Sequence, residues 1–343
     1  MTPMTPVGAQ RPRLKFWQTR TARLGGSALI LGLLLTFLPF HKVWSAIERI
    51  PPSLSLGLLV VYMFLHLIGV VKWRILINLA GAHLSFVQAV RCYYGGQFGN
   101  VFLPSLVGGD VVRGAMAFQV ARSKAGVVMG SVIDRTLDVI GMGAIAATGA
   151  LLLPSALSPQ SRKVFLVFAG TLALLGLVTV GVLLTLPVRK FPFKIQRRMA
   201  KLRHAGRSMV GHWDHVLLCL GLGIVLQVSQ IALNCWLGLA CGMHVSFGVW
   251  LFAWPLAKIS ALLPLTQGGI GVREAALVTL LVPFGVPGVL TAAAGLMFEA
   301  ISTIGSLLGG IVAFVLGRIP ATHTSSFPHF PALNTNGDGT PME

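Results

Sequence analysis

The chain has 343 residues, of which 55% are hydrophobic and only 10% charged, with a mean hydropathy of +0.80. A soluble domain carries about 25% charged residues to keep its surface wet, so a soluble globular fold is excluded. The formal net charge of +18 comes from basic residues bunched beside apolar runs, as topology signals are, and not from a nucleic-acid-binding face.

A spanning helix needs about 20 mostly apolar residues. The first such run, residues 24–40, follows Arg11, Arg13, Lys15, Arg20 and Arg23. No A-x-A-like cleavage site follows it, so it is expected to be a retained helix behind a basic, cytoplasmic N-terminal segment, 1–23. Further apolar runs cover about 54–71, 125–153, 164–186, 216–240 and 289–316. Two segments of a different kind, about 86–120 and 247–284, are broken by Pro and paired Gly and carry charges. The tail, 319–343, is rich in Pro, Ser, Thr and Asn and is expected to be disordered. Cys92, Cys219, Cys235 and Cys241 show no ligand-like spacing and read as buried free thiols, with no metal site and no cofactor.

Orientation follows from the loop after Leu186. Eight cations fall within 19 residues, from Arg189 through Lys190, Lys194, Arg197, Arg198, Lys201 and Arg203 to Arg207, which puts the 187–215 loop and both termini in the cytoplasm. If the first two helices go out and back, Lys72 and Arg74 lie inside. Segment 86–120 then starts and ends on the cytoplasmic side, and segment 247–284 starts and ends outside. Both are read as re-entrant hairpins, the alternative being that both span fully. The predicted fold is all-α: a polytopic helical membrane protein of six to eight transmembrane segments, in the bacterial inner membrane. Its membrane domain is 24–318, with half-repeats about 54–153 and 216–317.

The two odd segments share a pattern. Pro104, Gly108, Gly109 and Arg113 recur as Pro264, Gly268, Gly269 and Arg273, both P-x-x-x-G-G-x-x-x-R, offset by 160 residues. Each precedes a long apolar helix with a carboxylate inside it, Asp134 or Glu299, roughly 15 Å along the helix at 1.5 Å per residue. Broken helices entering from opposite faces and meeting at midplane are the signature of an inverted repeat. Pro ends a helix and Gly-Gly frees the backbone to turn, which leaves N–H groups that, with a fixed Arg, suit an anionic head group. Arg113 and Arg273 are the expected contacts. The competing reading is that Pro-Gly-Gly merely turns a loop and each Arg anchors at the interface.

Five of the nine acidic residues, Asp110, Asp134, Asp138, Glu274 and Glu299, sit in these motifs or inside helices. A charge at the bilayer centre costs about 2.5–3.5 kcal/mol or more, so each needs a partner. Asp134 and Asp138 share one helix face and Arg135 pairs with Asp138, a pattern that fits a structural cluster as well as a functional one. Asp134 and Glu299 read as proton-coupling or cation-binding groups, with Lys258 neutralising one of them. His66 reads as a satisfied polar contact.

The runs Phe102-Leu-Pro104…Gly108-Gly109-Asp110-Val-Val-Arg113, Ser131-Val-Ile-Asp134-Arg135-Thr-Leu-Asp138 and Pro264…Gly268-Gly269-Ile-Gly271-Val-Arg273-Glu274 resemble the lysylphosphatidylglycerol synthase transmembrane-region family, over about residues 20–318. The resemblance implies a membrane domain that moves modified lipids between leaflets. It makes Asp110, Arg113, Asp134, Arg135, Asp138, Arg273 and Glu274 candidate lipid-path residues. The soluble aminoacyl-transferring domain of the synthases is absent from this sequence, and there is no G-x-x-x-x-G-K-[ST] nucleotide site, so no enzyme activity is expected. The expected function is a lipid flippase or transporter for a polar or anionic lipid, whether glycolipid, polyprenyl, aminoacyl or hopanoid. The expected partners are membrane lipids, with a lipid-synthesising enzyme partner and homo-oligomerisation left open. The rivals are a membrane-embedded enzyme using Asp110 and Asp134, and a partner subunit docking through the basic loop.

Overall fold

The computed structural model describes residues 40–103, 108–153, 211–261 and 271–318, with the isolated positions 170, 181, 206 and 209. Among these there are nine α-helices and no strand. In chain order they are α1 (Phe40–Glu48), α2 (Pro52–Leu79), α3 (Phe86–Phe102), α4 (Gly108–Val120), α5 (Lys124–Leu151), α6 (Trp213–Ala240), α7 (Phe247–Ser260), α8 (Val272–Leu281) and α9 (Gly288–Arg318). The expected spans at 24–39 and 164–186, most of the 187–215 loop, the Pro104 and Pro264 turns with Gly268 and Gly269, and the 319–343 tail lie outside the described residues.

Three helices, α2, α6 and α9, are long and apolar enough to cross a membrane by length and composition. Helix α5 is as long as α2, 28 residues, but carries Lys124, Asp134, Arg135 and Asp138. The chain is therefore a polytopic helical protein, as its composition requires. Helix α2 runs eight residues past the expected end at 71 and takes Lys72 and Arg74 into the helix. Both charges are satisfied there: Lys72 by carboxylates described below, and Arg74 by donating from Nε to the Leu84 carbonyl at 3.0 Å.

Both odd segments are helix-break-helix units, α3–α4 and α7–α8. The turns that lead into them are built alike. In the first, Gly81 (φ 87°) donates to the Asn78 carbonyl and Ala82 to that of Ile77; in the second, Gly242 (φ 92°) donates to Leu239 and Met243 to Gly238. Each is the doubly bonded left-handed helix end that glycine adopts without a Cβ penalty. The residues that follow repeat as well: Gly81-Ala-His83-Leu-Ser85-Phe86 against Gly242-Met-His244-Val-Ser246-Phe247, offset by 161. Ser85 then starts α3 with a reciprocal capping box to Gln88, which satisfies two otherwise orphaned donors.

Packing repeats the same scheme. Helix α9 packs on α3 as α5 packs on α7, α2 on α5 as α6 on α9, and α2 on α9 as α5 on α6. Within each unit α3 packs on α4 as α7 packs on α8, and α2 packs directly on α6. Close approach is specified by glycine where backbones meet. A Cβ on Gly130 would lie 2.6 Å from the Ile77 Cα, and one on Gly109 would lie 2.3 Å from the Gly96 carbonyl oxygen. Short separations of this kind let dispersion act in place of the hydrophobic effect, which is weak between helices in lipid.

Candidate functional site

Helix α4 sets Asp110 and Arg113 one turn apart, and α5 presents Asp134, Arg135 and Asp138 to them. Lys72 enters the same cluster from α2. Its ammonium lies 3.0 Å from Asp134 Oδ1 and also bonds Asp138. Arg113 Nη2 lies 3.0 Å from Asp110 Oδ1 and 3.2 Å from Asp134 Oδ2. Arg135 grips Asp110 with two parallel N–H donors and reaches Asp138 at 3.5 Å. Three cations and three carboxylates balance. Lys72 and Asp134 are both 2% exposed, and charges that deep persist only when paired and hydrogen-bonded.

A second cluster stands at the other break. Gly271 (φ 86°) donates its N–H to Glu274 Oε2 at 2.7 Å, tying the start of α8. Arg273 Nη2 donates to Glu274 Oε1 and to Glu299 Oε2 on α9, both at 2.6 Å. The two motif arginines thus have matching surroundings. Each bridges a carboxylate on its own short helix to one on the next long helix. Each also lies against two aromatic rings: Arg113 is 4.7 Å from the Trp73 ring and 5.3 Å from Tyr93, and Arg273 is 5.3 Å from Trp254 and 5.4 Å from Phe298. A guanidinium held over desolvated rings gains cation–π stabilisation that an ammonium on a flexible stem would not match in this geometry.

Lys258 sits in the last turn of α7, between the clusters, and does not neutralise Asp134 or Glu299. Its ammonium is held by two neutral oxygens from α6, Gln227 Oε1 at 2.9 Å and Gln230 Oε1 at 3.1 Å. No carboxylate lies within ion-pair distance of it among the described residues. The charge that acts on it most strongly is the Asp138 carboxylate, opposed by Arg135, Arg273 and Lys72. His66 on α2 has a partner in Gln97 Nε2, 2.9 Å from its Nδ1. Tyr62, Phe298 and Trp254 form a chain of edge-on rings from His66 towards Arg273.

The predicted residues divide as follows. Asp110, Arg113, Asp134, Arg135 and Asp138 come together in one cluster, and Arg273, Glu274 and Glu299 in the other. Gly108 opens α4. Gly109 donates its N–H to Asn100 Oδ1 at 2.7 Å, so that amide is engaged within the chain. Lys72, Asn100, Gln227 and Gln230 were not foreseen. Gln227 and Gln230 are three residues apart in an otherwise apolar helix, a spacing that puts two amides on one face. Lys72 borders an apolar run and reads as a flank until α2 is seen to continue through it.

Charge networks at the breaks of paired short helices, inside a bundle of apolar helices, define the class as a polytopic membrane protein with a charged interior. Residues 21–310 match the model of the lysylphosphatidylglycerol synthase transmembrane region, and the chain belongs to that family. It is also 23% identical, over 316 residues, to a UPF0104 membrane protein of Methanothermobacter thermautotrophicus, a match that covers 84% of this chain and 90% of that protein.

Proposed function

We propose that the protein is a lipid transporter of the flippase class, in which a polar or anionic head group crosses the charged interior while the acyl chains stay in the bilayer. The observation that carries this reading is Lys258. A buried or half-buried cation at membrane depth normally has a carboxylate partner, and this one is held by two glutamine oxygens, with no carboxylate at ion-pair distance among the described residues. A lipid phosphate is the counter-ion that such a site lacks. Arg113 Nε and Trp254 Nε1, both buried and without a hydrogen-bond partner among the described residues, are further donors for a polar head group. Arg113, Arg273 and the clustered carboxylates are then the walls that keep the path polar and fix its shape.

The same reading takes α3–α4 and α7–α8 as re-entrant pairs that enter from opposite membrane faces, with the chain in the plasma membrane and its termini cytoplasmic. Helix contacts favour it. Helix α5 lies antiparallel to α2, with Gly126 against Ala80, Gly130 against Ile77 and Asp138 against Lys72. Helix α5 is also antiparallel to α7, and α9 to α3, with Gly149 against Phe252 and Gly317 against Arg91. Those directions return each short pair to the end at which it began.

The test is lipid scrambling in proteoliposomes, read by dithionite quenching of head-group-labelled anionic and zwitterionic lipids. Wild type is expected to move the anionic class. Lys258→Met is expected to slow that movement by about tenfold or more, the loss of one charge-assisted contact of about 1.5–3 kcal/mol. Its thermal stability should change little, because removing a half-buried charge offsets the donor lost by Gln227 and Gln230. Equal rates for wild type and Lys258→Met, or no movement of any lipid, would overturn the reading and favour an enzyme or a partner subunit.

A further inference from the structure

A groove of about 410 Å³ lies on the outer wall of the bundle, where α9 crosses α3 and α4. Its sides are Phe98, Met116, Ala313 and Phe314, and its rim carries Arg91 and Arg318. Phe98 and Phe314 are 39% and 61% exposed, so the apolar side faces outward, where acyl chains would lie. The groove faces away from the charged interior. Helix α4 turns Arg113 towards Asp134, whereas Val112 and Met116 face the groove, and α3 turns Gln97 and Asn100 towards the interior, whereas Arg91 and Phe98 line the groove.

The two arginines share one end. A Cβ on Gly317, next to Arg318, would lie 3.1 Å from Arg91 Nε. The Arg318 guanidinium stacks on the Phe314 ring at 4.4 Å, which holds it over the apolar wall. Neither arginine has a carboxylate partner among the described residues. The turn before α3 and the turn after α4, 79–86 and 120–124, are joined by the Arg122 N–H to the Ala82 carbonyl at 3.0 Å, add Arg122 and Lys124, and carry no Asp or Glu. Two guanidiniums at the mouth of an apolar cleft match a phosphate with an attached chain, since guanidinium forks bind phosphate oxygens in pairs.

We propose that this groove holds one anionic phospholipid of the adjoining leaflet, its phosphate between Arg91 and Arg318 and an acyl chain along Phe98, Met116 and Phe314. The site is separate from the interior path and does not depend on the transport reading. Because α3 and α4 form its floor, a lipid seated there braces the broken pair from outside.

The experiment is native mass spectrometry of the full chain released from micelles carrying dioleoyl phosphatidic acid or dioleoyl phosphatidylcholine. The two lipids share backbone, phosphate and chains and differ in the choline that cancels the charge. Wild type is expected to retain at least one phosphatidic acid in preference to phosphatidylcholine. Arg91→Gln with Arg318→Gln is expected to lower that retention by about tenfold or more, from the loss of charge-assisted bonds to the phosphate. Gly317→Leu, which keeps both charges but crowds the Arg91 guanidinium, should lower it as well. Lys258→Met should still retain the phosphatidic acid that the double variant loses, which separates this site from the interior one. Equal retention of both lipids, or retention indifferent to the double variant in a protein that still elutes as a single folded species, would overturn the proposal. So would a second copy of the chain occupying the groove, seen as a dimer that the double variant dissociates.

Discussion

Lys72 and Lys258 carry the same charge in the same bundle, and their surroundings set different consequences for removing them. Lys72 holds Asp134 and Asp138 together. Lys72→Met leaves three carboxylates facing two arginines, with the excess charge centred on Asp134, which is buried. Removing one partner from a buried network costs about 3–5 kcal/mol. The variant should therefore lose stability by that order in a detergent thermal-unfolding assay. Adding Asp138→Asn restores the balance of charge and should recover part of the loss, a non-additivity expected of contacting residues. Strictly additive losses would show that Lys72 contributes through packing of its stem alone. Lys258 holds two amide oxygens and no carboxylate, so its substitution should cost less stability than that of Lys72 and act chiefly on the proposed transport. Sequence reasoning located the carboxylates well, because an acidic residue inside an apolar run stands out. It missed Lys72, because a cation at the edge of such a run is indistinguishable from a topology flank until the helix is seen to continue. It also assigned Lys258 to a carboxylate, where two glutamines one turn apart on α6 are the partners. Amides are weak sequence signals, since each can be satisfied by its own backbone.

At the scale of helices, Gly109 sets how closely two short helices meet. Gly109 is where α4 meets α3: its Cα faces the Gly96 carbonyl, and its N–H is taken by Asn100. The Gly96 Cβ position is in turn closed by the Gly109 carbonyl oxygen at 2.8 Å. A side chain at either position must push backbone from backbone, with no flexible group to yield. Gly109→Val should destabilise the protein by about 1–3 kcal/mol, the usual range for overpacking. It should also slow lipid movement, because Arg113 rides on the displaced helix. Gly114→Ala on the same helix, where nothing lies within 4 Å of the added Cβ, should be neutral or slightly stabilising through helix propensity. The comparison is made by measuring melting temperature and scrambling rate for both variants. Equal behaviour would show that the interlock of α3 and α4 does not determine the site. The break itself was legible from Pro104 and Gly108–Gly109. The partner glycine, Gly96, was not, because close backbone approach is a property of two segments and a single sequence displays only one at a time.

For the whole molecule, the matching of the halves reaches further than the ten-residue Pro-Gly-Gly motif. The turns at Gly81 and Gly242 share their hydrogen bonds and the G-x-H-x-S-F run, and nearly every helix pairing has its counterpart under exchange of halves. That second repeat was present in the sequence, but the signal lies in loop residues whose value depends on knowing where the helices stop. The proposed opposite directions of the two units have a testable consequence for topology. Ser85 and Ser246 occupy equivalent, exposed positions at the starts of α3 and α7, and in the proposed arrangement they face opposite sides of the membrane. Ser→Cys is nearly isosteric, and loss of the Ser85 cap costs about 1 kcal/mol, too little to unfold the bundle. In a background with Cys92, Cys219, Cys235 and Cys241 changed to alanine, each single cysteine would be probed in intact cells with a membrane-impermeant maleimide. Ser246→Cys should react from outside, and Ser85→Cys should react only after permeabilisation. Labelling of both from one side would place the two units in the same orientation. The halves would then be related along the membrane normal, and Lys258 could not stand where oppositely directed helix breaks converge.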